Sequence, residues 1–336
     1  MDKDYPKISI MIPTYNRARY LVDAIDSSFE QDYPNFEVIV SDNASTDNTH
    51  EIIEKYISDS RLQYYRNTEN YGSGINYEKL LYQYATGEYA KYLTDDDYLI
   101  DKQHLSKAMQ IIKKHGVKMV FSAAIAKFET ENEEIDLSLD LDEAVDRKWW
   151  IDHLCSTYRG LTIFPSCMSG NLFEVERAKK LNSFRATQYY HDYEFAIKCI
   201  LMDNKTGYIK EPSYVERRHS GQEGRTSFEK ALGGTQIFNN IYNFGRQLGT
   251  DEKLLGKLRT RGFRFFVRGF LVHNWVNENG TSLSSLYHFL GELKKLHKHL
   301  PLITLTDPHT MAKFISRDTP LYTFHRDIYL RVHKRK

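Results

Sequence analysis

The amino-acid sequence predicts an α/β protein with a mostly parallel, Rossmann-like central sheet and flanking helices, followed by a helical C-terminal region. Three observations lead to this prediction. From residue 7 to about 124, short apolar segments alternate with amphipathic ones, as in βαβ units. Polar residues follow each of the first four apolar segments. After Ser227 the strand pattern gives way to helical periodicity. We expect one unit over residues 1–227, with halves at 1–124 and 125–227, and a second over 228–336.

The first unit is predicted to begin with five strands and four helices. The strands are the apolar segments Ile8–Ile12, Phe36–Val40, Leu62–Tyr65, Tyr89–Leu93 and Val117–Phe121. The helices have apolar residues every three or four positions, at Ala18–Glu30, Asp47–Ile57, Ile75–Ala85 and Asp101–His115. Ligands of open parallel sheets bind beyond the carboxyl ends of the strands. Candidate site residues should therefore follow each strand.

Composition sets limits on the class of protein. The chain has 336 residues, 41% of them hydrophobic, and 46 Lys and Arg against 45 Asp and Glu, which excludes a disordered or disulfide-stapled chain. Apolar runs are shorter than the roughly 18 residues of a spanning helix. The first residues lack the pattern of a signal peptide, and the three cysteines show no CxxC spacing. We expect a cytoplasmic protein.

Polar groups with turn chemistry follow the first four strands. They are Pro13–Arg17, Asp42–Asp47, Asn67–Asn76 and Thr94–Asp97. Each alone has a structural explanation, since Asp47 can cap a helix and Asn70–Gly72 can form a turn. Four such groups at one sheet edge favour a binding site.

Three consecutive carboxylates, Asp95, Asp96 and Asp97, follow the fourth strand. Adjacent like charges repel, and a divalent cation such as Mg²⁺ or Mn²⁺ would relieve the repulsion while binding phosphate oxygens. An exposed acidic loop is the alternative. The sequence contains neither GxxxxGK[ST] nor GxGxxG, the two common phosphate-binding loops. A metal ion would therefore neutralise the charge of a phosphate ligand.

The four groups together resemble the nucleotide-sugar half of a family 2 glycosyltransferase of GT-A fold, and in particular bacterial enzymes of surface-polysaccharide synthesis, including the abequosyltransferase-like group. The segments that carry the likeness are Ile8–Asn16, Val40–Asp47, Asn70–Gly72 with Asn76, and Gly87–Asp97. The resemblance extends from about Lys7 to Ser220. It implies an inverting, metal-dependent transfer of a sugar from a nucleotide-sugar donor to a hydroxyl of a glycan or lipid-linked acceptor, in polysaccharide or cell-envelope biosynthesis.

The resemblance also implies roles for single residues. Thr14 and Tyr15 match positions that border the base and ribose. Asp42 matches an acceptor for the pyrimidine N3–H, which favours a UDP- or dTDP-sugar. Asp95 is expected at the ribose or a metal-bound water, and Asp96 at Mn²⁺ or Mg²⁺. The other expected nucleotide contacts are Pro13, Asn16, Arg17, Asn70, Gly72 and Asn76. Because Thr94 stands where many relatives have Asp, Asp97 is a further candidate ligand.

The middle of the chain should supply the acceptor site and the base. Met168–Phe173 resembles the strand beneath the acceptor, with Ser169, Gly170 and Asn171 as candidates. Asp192 matches the family's general base, and His191 replaces the usual acid before it. An inverting transfer needs one carboxylate to take the acceptor proton. Capping of the helix Tyr193–Leu201 is the structural alternative for Asp192.

A basic, glycine-containing segment follows an apolar strand that ends near Val215. It resembles the loop that closes on the donor. His219 would bind the metal or a phosphate there, and Arg217 or Arg225 would bind the diphosphate as a bidentate donor. An exposed basic turn is the alternative.

The last hundred residues are strongly basic. From Lys230 to Lys336 there are 18 Lys and Arg against 7 Asp and Glu, which indicates an anionic partner. Four helices are predicted, over 228–248, 254–276, 283–299 and 312–332. The second has a basic amphipathic pattern with Phe263 and Phe266, which suits either an anionic membrane surface, making the protein peripheral, or packing on the first unit. An anionic acceptor is a further candidate partner, and the absence of a recognised motif argues against nucleic acid.

Two other functions remain open from the sequence. A sugar nucleotidyltransferase could share the fold, although Pro13–Asn16 replaces the glycine-rich basic loop usual after its first strand. A non-catalytic glycan- or membrane-binding module is the second alternative. It predicts that Asp192 and the aspartates are dispensable.

Overall fold

The computed structural model describes residues 5–130, 132–156, 168–184, 189–219 and 228–276. Arg225 and the two predicted helices after residue 276 lie outside these ranges. The strands are β1 Ile8–Thr14, β2 Phe36–Asp42, β3 Leu62–Arg66, β4 Tyr89–Tyr92, β5 Tyr98–Leu99, β6 Met119–Phe128, β7 Glu133–Asp136, β8 Ala144–Asp146, β9 Asn171–Glu174 and β10 Lys205–Arg218. The α-helices are α1 Ala18–Phe29, α2 Thr49–Glu54, α3 Ser73–Lys79, α4 His104–His115, α5 Arg147–Ser156, α6 Val175–Lys179, α7 His191–Met202, α8 Phe228–Gln247 and α9 Glu252–Val276.

The first half of the sheet is parallel, as predicted. The order is β3-β2-β1-β4, and the pairs β1–β2, β1–β4 and β2–β3 are all parallel. Every residue of β1 and β2 is buried, because helices cover both faces of the sheet. Gly87 precedes β4 where a Cβ atom would lie 2.6 to 2.8 Å from the backbone of Lys7, Ser9 and Tyr89, so a larger residue would push these chains apart.

The second half is a mixed sheet, in the order β9-β6-β10-β5. β9 is antiparallel to both β4 and β6 and lies between them, although it comes later in the chain. β5, β7, β8 and α5 do not appear among the predicted elements. β5 has two residues and β7 is mostly charged and exposed, so neither shows an apolar repeat.

Two hydrophobic clusters cover the two faces of the sheet. The larger cluster also contains buried side chains of α8 and α9, among them Phe238 and Phe266. Phe263 and Phe266 are 3% and 5% exposed. These two rings are therefore packed inside the protein rather than presented to a bilayer. Among the described helices, none combines the length and apolar character needed to cross a membrane.

Glu37 is a buried carboxylate that ties three strands together at the end of the sheet opposite the polar groups. Its Oε1 accepts hydrogen bonds from Ser9 Oγ (2.6 Å) and Thr86 Oγ1 (2.7 Å). Its Oε2 accepts from Lys7 Nζ (2.7 Å) and Gln63 Nε2 (2.8 Å). Burial alone would raise the pKa of Glu37, but the bonds from Lys7, Ser9 and Thr86 outweigh it and the pKa lies below the ordinary value.

Replacing Glu37 by Ala is expected to lower the free energy of unfolding by about 3 kcal/mol, because buried donors lose their acceptor. The control is Glu30→Ala, which removes an exposed ion pair with Lys102 and should change stability by about 0.5 kcal/mol or less. A lowered pKa stabilises the fold above the unfolded-state value of about 4.3 and loses that effect as pH falls. The difference between wild type and Glu37→Ala in urea titrations should therefore shrink below about pH 4.

Candidate functional site

The carboxyl ends of β1, β2 and β4 meet at one edge of the sheet, as the sequence predicts. Thr14 lies opposite Asp42 in the β1–β2 register, and the backbone N–H of Asn43 donates to Thr14 O at 2.9 Å. The N–H of Leu93 donates to Met11 O at 2.9 Å. The loops that follow these strands therefore share one edge, where the N–H of Tyr15 lies 3.4 Å from Asp95 Oδ2.

The loop after β1 is held against the loop after β2. Asn16 has a φ of 54°, a left-handed conformation that Asn tolerates better than most residues. Its N–H donates to Ser45 Oγ (2.9 Å), and its Oδ1 accepts from the N–H of Thr46 (2.7 Å). Asp47 Oδ2 accepts from the N–H of Ala18 at the start of α1. Asn16 thus fixes the loop, while Tyr15 is 41% exposed.

Asp42 is buried at the end of β2. Its Oδ1 accepts a hydrogen bond from the N–H of Ser45 (2.8 Å), and its Oδ2 accepts from Tyr64 Oη (2.8 Å). Arg66 Nε lies 3.6 Å from Oδ2. The contact of Asp42 with a pyrimidine stays a prediction. Both carboxylate oxygens of Asp42 already accept hydrogen bonds within the protein.

Asn70, Gly72 and Asn76 belong to an amide network behind the loop after β3. Asn76 accepts from Ser41 Oγ (2.6 Å) and donates to Ser41 O (2.9 Å). Asn43 Nδ2 donates to Asn70 Oδ1 (2.6 Å), and Gly72 adopts a φ of 85° at the start of α3. These contacts favour a supporting function for Asn70 and Asn76 rather than direct contact with a ligand.

The three aspartates differ in their surroundings. Asp97 is 1% exposed; its Oδ2 accepts from Thr94 Oγ1 (2.6 Å) and Ser169 Oγ (2.7 Å), and its Oδ1 from the N–H of Arg217 (3.1 Å). Burial, reinforced by the charge of Asp96, raises the pKa of Asp95 to about 8 and that of Asp97 to about 7. Asp97 therefore ties three segments together, which favours Asp96 as the metal ligand.

Asp96 is the centre of a small charged cluster. His219 Nε2 lies 3.2 Å from Asp96 Oδ2, and Arg17 Nη1 lies 3.5 Å from His219 Nε2. The guanidinium of Arg217 donates to the backbone carbonyl of Asp96 (3.1 Å). Arg217 lies near the carboxyl end of β10, and His219 directly follows this strand. The strand is parallel to β6 and contacts the aspartate loop at Arg217. The predicted basic segment therefore begins in contact with the predicted acidic one.

Helix α1 contributes two residues that sequence reasoning missed. The Tyr20 ring stacks on His219 with a centroid distance of 4.7 Å, and Asp23 forms an ion pair with Arg217. Tyr20 and Asp23 are three residues apart and lie on one face of α1, and Arg17 directly precedes the helix. That spacing, directly after a predicted loop, was the signal in the sequence.

The predicted acceptor residues lie at the ends of β9 and α7. Ser169 contacts Asp97, and the buried Lys91 Nζ donates to Ser169 O at 2.7 Å. The predicted strand begins as a 3₁₀ turn over Met168–Gly170, and β9 starts at Asn171, which is fully buried. These contacts give Ser169 a structural function.

Asp192 and His191 stand in the first turn of α7. His191 is 9% exposed, its ring lies 4.7 Å from that of Tyr77, and burial lowers its pKa to about 4. Asp192 is partly exposed. An acidic residue in the first turn also favours the helix, so capping and proton transfer are compatible.

The residues at the sheet edge fit part of a metal site. In the ranges that the structure describes, no group of three His, Cys, Asp or Glu is arranged to hold an ion. Asp96 and His219 offer one oxygen and one nitrogen ligand 3.2 Å apart. Mg²⁺ and Mn²⁺ commonly take few protein ligands and complete their coordination with water and phosphate oxygens. Two such ligands suit an ion that arrives with a diphosphate.

A parallel sheet with carboxylates, an arginine and a histidine at its carboxyl edge suits a ligand that carries phosphate groups. The sequence profile of glycosyl transferase family 2 matches residues 9–178. The chain belongs to this family, as predicted.

Two bacterial relatives are named as sugar transferases, one for a PP-undecaprenol-linked substrate and one for poly(ribitol-phosphate). The chain is 30% identical over 216 residues to GalNAc(5)-diNAcBac-PP-undecaprenol beta-1,3-glucosyltransferase of Campylobacter jejuni, covering 63% of this chain and 65% of the relative. It is 35% identical over 111 residues to the poly(ribitol-phosphate) beta-N-acetylglucosaminyltransferase TarS of Staphylococcus aureus, covering 32% of this chain and 19% of TarS. The chain thus spans less than two thirds of either relative.

Solved structures confirm the GT-A fold. Residues 1–349 of S. aureus TarS in complex with UDP-GlcNAc superpose with a TM-score of 0.70 at 21% identity, over 89% of this chain and 82% of that chain. The mannosyltransferase PcManGT of Pyrobaculum calidifontis, in complex with GDP-Man and Mn²⁺, gives a TM-score of 0.51 at 18% identity, over 93% of this chain and 85% of that chain.

Proposed function

We propose that this protein is an inverting, divalent-metal-dependent glycosyltransferase that moves a sugar from a UDP- or dTDP-sugar to a hydroxyl of a glycan or lipid-linked acceptor. The cluster of Asp96, His219 and Arg217 supports this proposal most directly. In this cluster two candidate metal ligands, Asp96 and His219, lie beside Arg217, whose guanidinium could donate hydrogen bonds to a diphosphate. The cluster lies at the edge where ligands of such sheets bind.

The chain's own residues bind and orient the donor. The exposed Tyr15 would border the base, with Pro13 and Thr14 next to it in the same loop. Arg217 would donate to the diphosphate, a strong charge-assisted contact. Asp96 and His219 would hold Mn²⁺ or Mg²⁺, which when bound neutralises the charge that develops on the leaving diphosphate.

Asp192 acts as the general base in this proposal. The acceptor hydroxyl attacks the anomeric carbon from the face opposite the diphosphate, and its proton passes to the Asp192 carboxylate. The C1–O bond to the diphosphate breaks as the new glycosidic bond forms, so the anomeric configuration inverts in a single displacement.

The acceptor class is proposed from chemistry and from the relatives. The C. jejuni relative is named for an undecaprenyl-linked substrate and TarS for a ribitol-phosphate polymer, both of which are anionic. Residues 230–336 carry an excess of 11 positive charges, which suits an anionic acceptor or an anionic membrane surface. We propose action in polysaccharide or cell-envelope biosynthesis at the cytoplasmic face of a membrane.

Donor turnover tests the proposal. The purified chain is incubated with UDP-, dTDP-, GDP- and CDP-sugars, with Mn²⁺ or with EDTA, and nucleotide release is measured. We expect release from a UDP- or dTDP-sugar that EDTA abolishes and Mn²⁺ restores. Turnover of a GDP-sugar alone would contradict the function given to Asp42, and turnover undiminished by EDTA would contradict the functions given to Asp96 and His219.

A further inference from the structure

The two described C-terminal helices contact the helix that carries the candidate base. α8 and α9 pack on each other and on α7, and their buried side chains join the cluster that lines one face of the sheet. The residues of the base-bearing segment that they contact are Tyr189, Tyr190, Tyr193, Glu194 and Lys198. These residues flank Asp192 on both sides in sequence.

Phe266 of α9 is the main apolar contact. Its ring centroid lies 4.3 Å from that of Tyr190 and 6.2 Å from that of Tyr193. On its other side the ring fits against Gly234 of α8, where a Cβ atom would lie only 2.3 Å from it. Phe266 is therefore wedged between α8 and the first turn of α7, with 5% of its surface exposed.

Tyr190 is held in a conformation that it would otherwise avoid. Its φ is 58°, in the left-handed region, which is unfavourable for an L-residue with a bulky side chain. Such a residue persists only where its surroundings fix it. Its carbonyl accepts the N–H of Glu194 at 3.2 Å and so begins α7. The contact with Phe266 thus bears on the residue that sets the starting direction of the helix.

A polar contact supplements the apolar one. Glu194 is fully buried; Asn240 Nδ2 of α8 donates to its Oε2 at 3.2 Å, and Lys198 Nζ lies 2.5 Å from its Oε1. Lys198 also donates to Leu181 O at 2.9 Å. A buried carboxylate needs such partners, and Asn240 therefore links α8 to α7 two residues after Asp192.

We propose that α8 and α9 position the general base: Phe266 and Asn240 are positioning residues that hold the first turn of α7, and with it Asp192, in the geometry required for proton transfer. This inference rests on the proposed function of Asp192. On this proposal, α8 and α9 support catalysis by positioning Asp192, in addition to any contact that they make with an acceptor or a membrane. Misplacement of a catalytic group by about 1 Å can cost up to about 10²-fold in rate.

The test compares Phe266→Ala with Leu255→Ala in the full chain. Leu255 is buried in the same helix pair, where it packs against Gly245 of α8. Both changes leave a cavity and should lower the melting temperature. Only Phe266→Ala should lower kcat, by about 10-fold or more, with UDP affinity unchanged. Phe266→Leu should restore part of the rate. Should Phe266→Ala not fold, Asn240→Ala provides the same comparison with a smaller loss of packing.

A double-mutant cycle separates positioning from general destabilisation. If Phe266 acts through the base, Phe266→Ala should cause no further loss of kcat in an Asp192→Asn background. A kcat within twofold of wild type for Phe266→Ala, or an equal loss in both backgrounds, would overturn the inference. Failure of the wild-type chain to transfer sugar, or full activity of Asp192→Asn, would instead overturn the proposed function.

Discussion

Asp192→Asn is expected to lower kcat for sugar transfer by about 10²- to 10⁴-fold, the range that a positioned general base contributes. Asparagine keeps the size of the side chain and its place in the first turn of α7, but it cannot accept the proton of the acceptor hydroxyl. Affinity for UDP should not change, because the donor residues lie at the ends of β1, β2, β4 and β10. The measurement is steady-state transfer at saturating donor and acceptor, with UDP binding followed separately.

Glu176→Gln is a matched control for this substitution. Glu176 lies in the first turn of α6 and forms an exposed ion pair with Lys179. Glu176→Gln should keep kcat within about twofold of the wild-type value, since exposed ion pairs contribute little to stability. Equal activity of Asp192→Asn and wild type would show that Asp192 serves only to stabilise α7.

Asp96→Asn is expected to lower kcat/KM for the donor by about 10²-fold or more, the scale reported for loss of one group that stabilises transition-state charge. The substitution removes the negative charge that would hold the metal next to His219. Because only the negative charge beside His219 is lost, the Mn²⁺ concentration needed for half-maximal activity should rise. Activity is measured across a Mn²⁺ titration.

Asp97→Asn provides a contrasting variant in the same loop. Asp97 is buried and accepts hydrogen bonds from Thr94, Ser169 and Arg217, so its change should appear first as a lower melting temperature. If Asp96→Asn shifts the Mn²⁺ requirement and Asp97→Asn does not, Asp96 is the ligand of the pair. The reverse pattern would exchange the functions assigned to them.

The sequence predicted the donor half of the fold well, because its strands are continuous apolar runs and its helices have a clear period. It could not predict that β9 enters the sheet between β4 and β6, since strand order depends on long-range pairing rather than local pattern. β7 and β5 were missed for a local reason, namely high charge in the first and a length of two residues in the second.

The candidate site was predicted in its chemistry but only partly in its contacts. Polar residues after the strands do meet at one edge, and His219 does lie beside Asp96. The sequence could not distinguish residues that face a ligand from residues that brace the loops. Asn16 forms hydrogen bonds to the loop after β2 and Asn76 forms them to Ser41 of β2, contacts that only the three-dimensional structure reveals. The contact between Phe266 and Tyr190 likewise joins segments 76 positions apart in sequence.

The most direct test of the account is calorimetric titration of UDP into the wild-type chain and Asp96→Asn, each with and without Mn²⁺. The account predicts that Mn²⁺ strengthens UDP binding to wild type by tenfold or more and leaves binding to Asp96→Asn nearly unchanged. Equal affinity of wild type for UDP in the presence and absence of Mn²⁺ would contradict it.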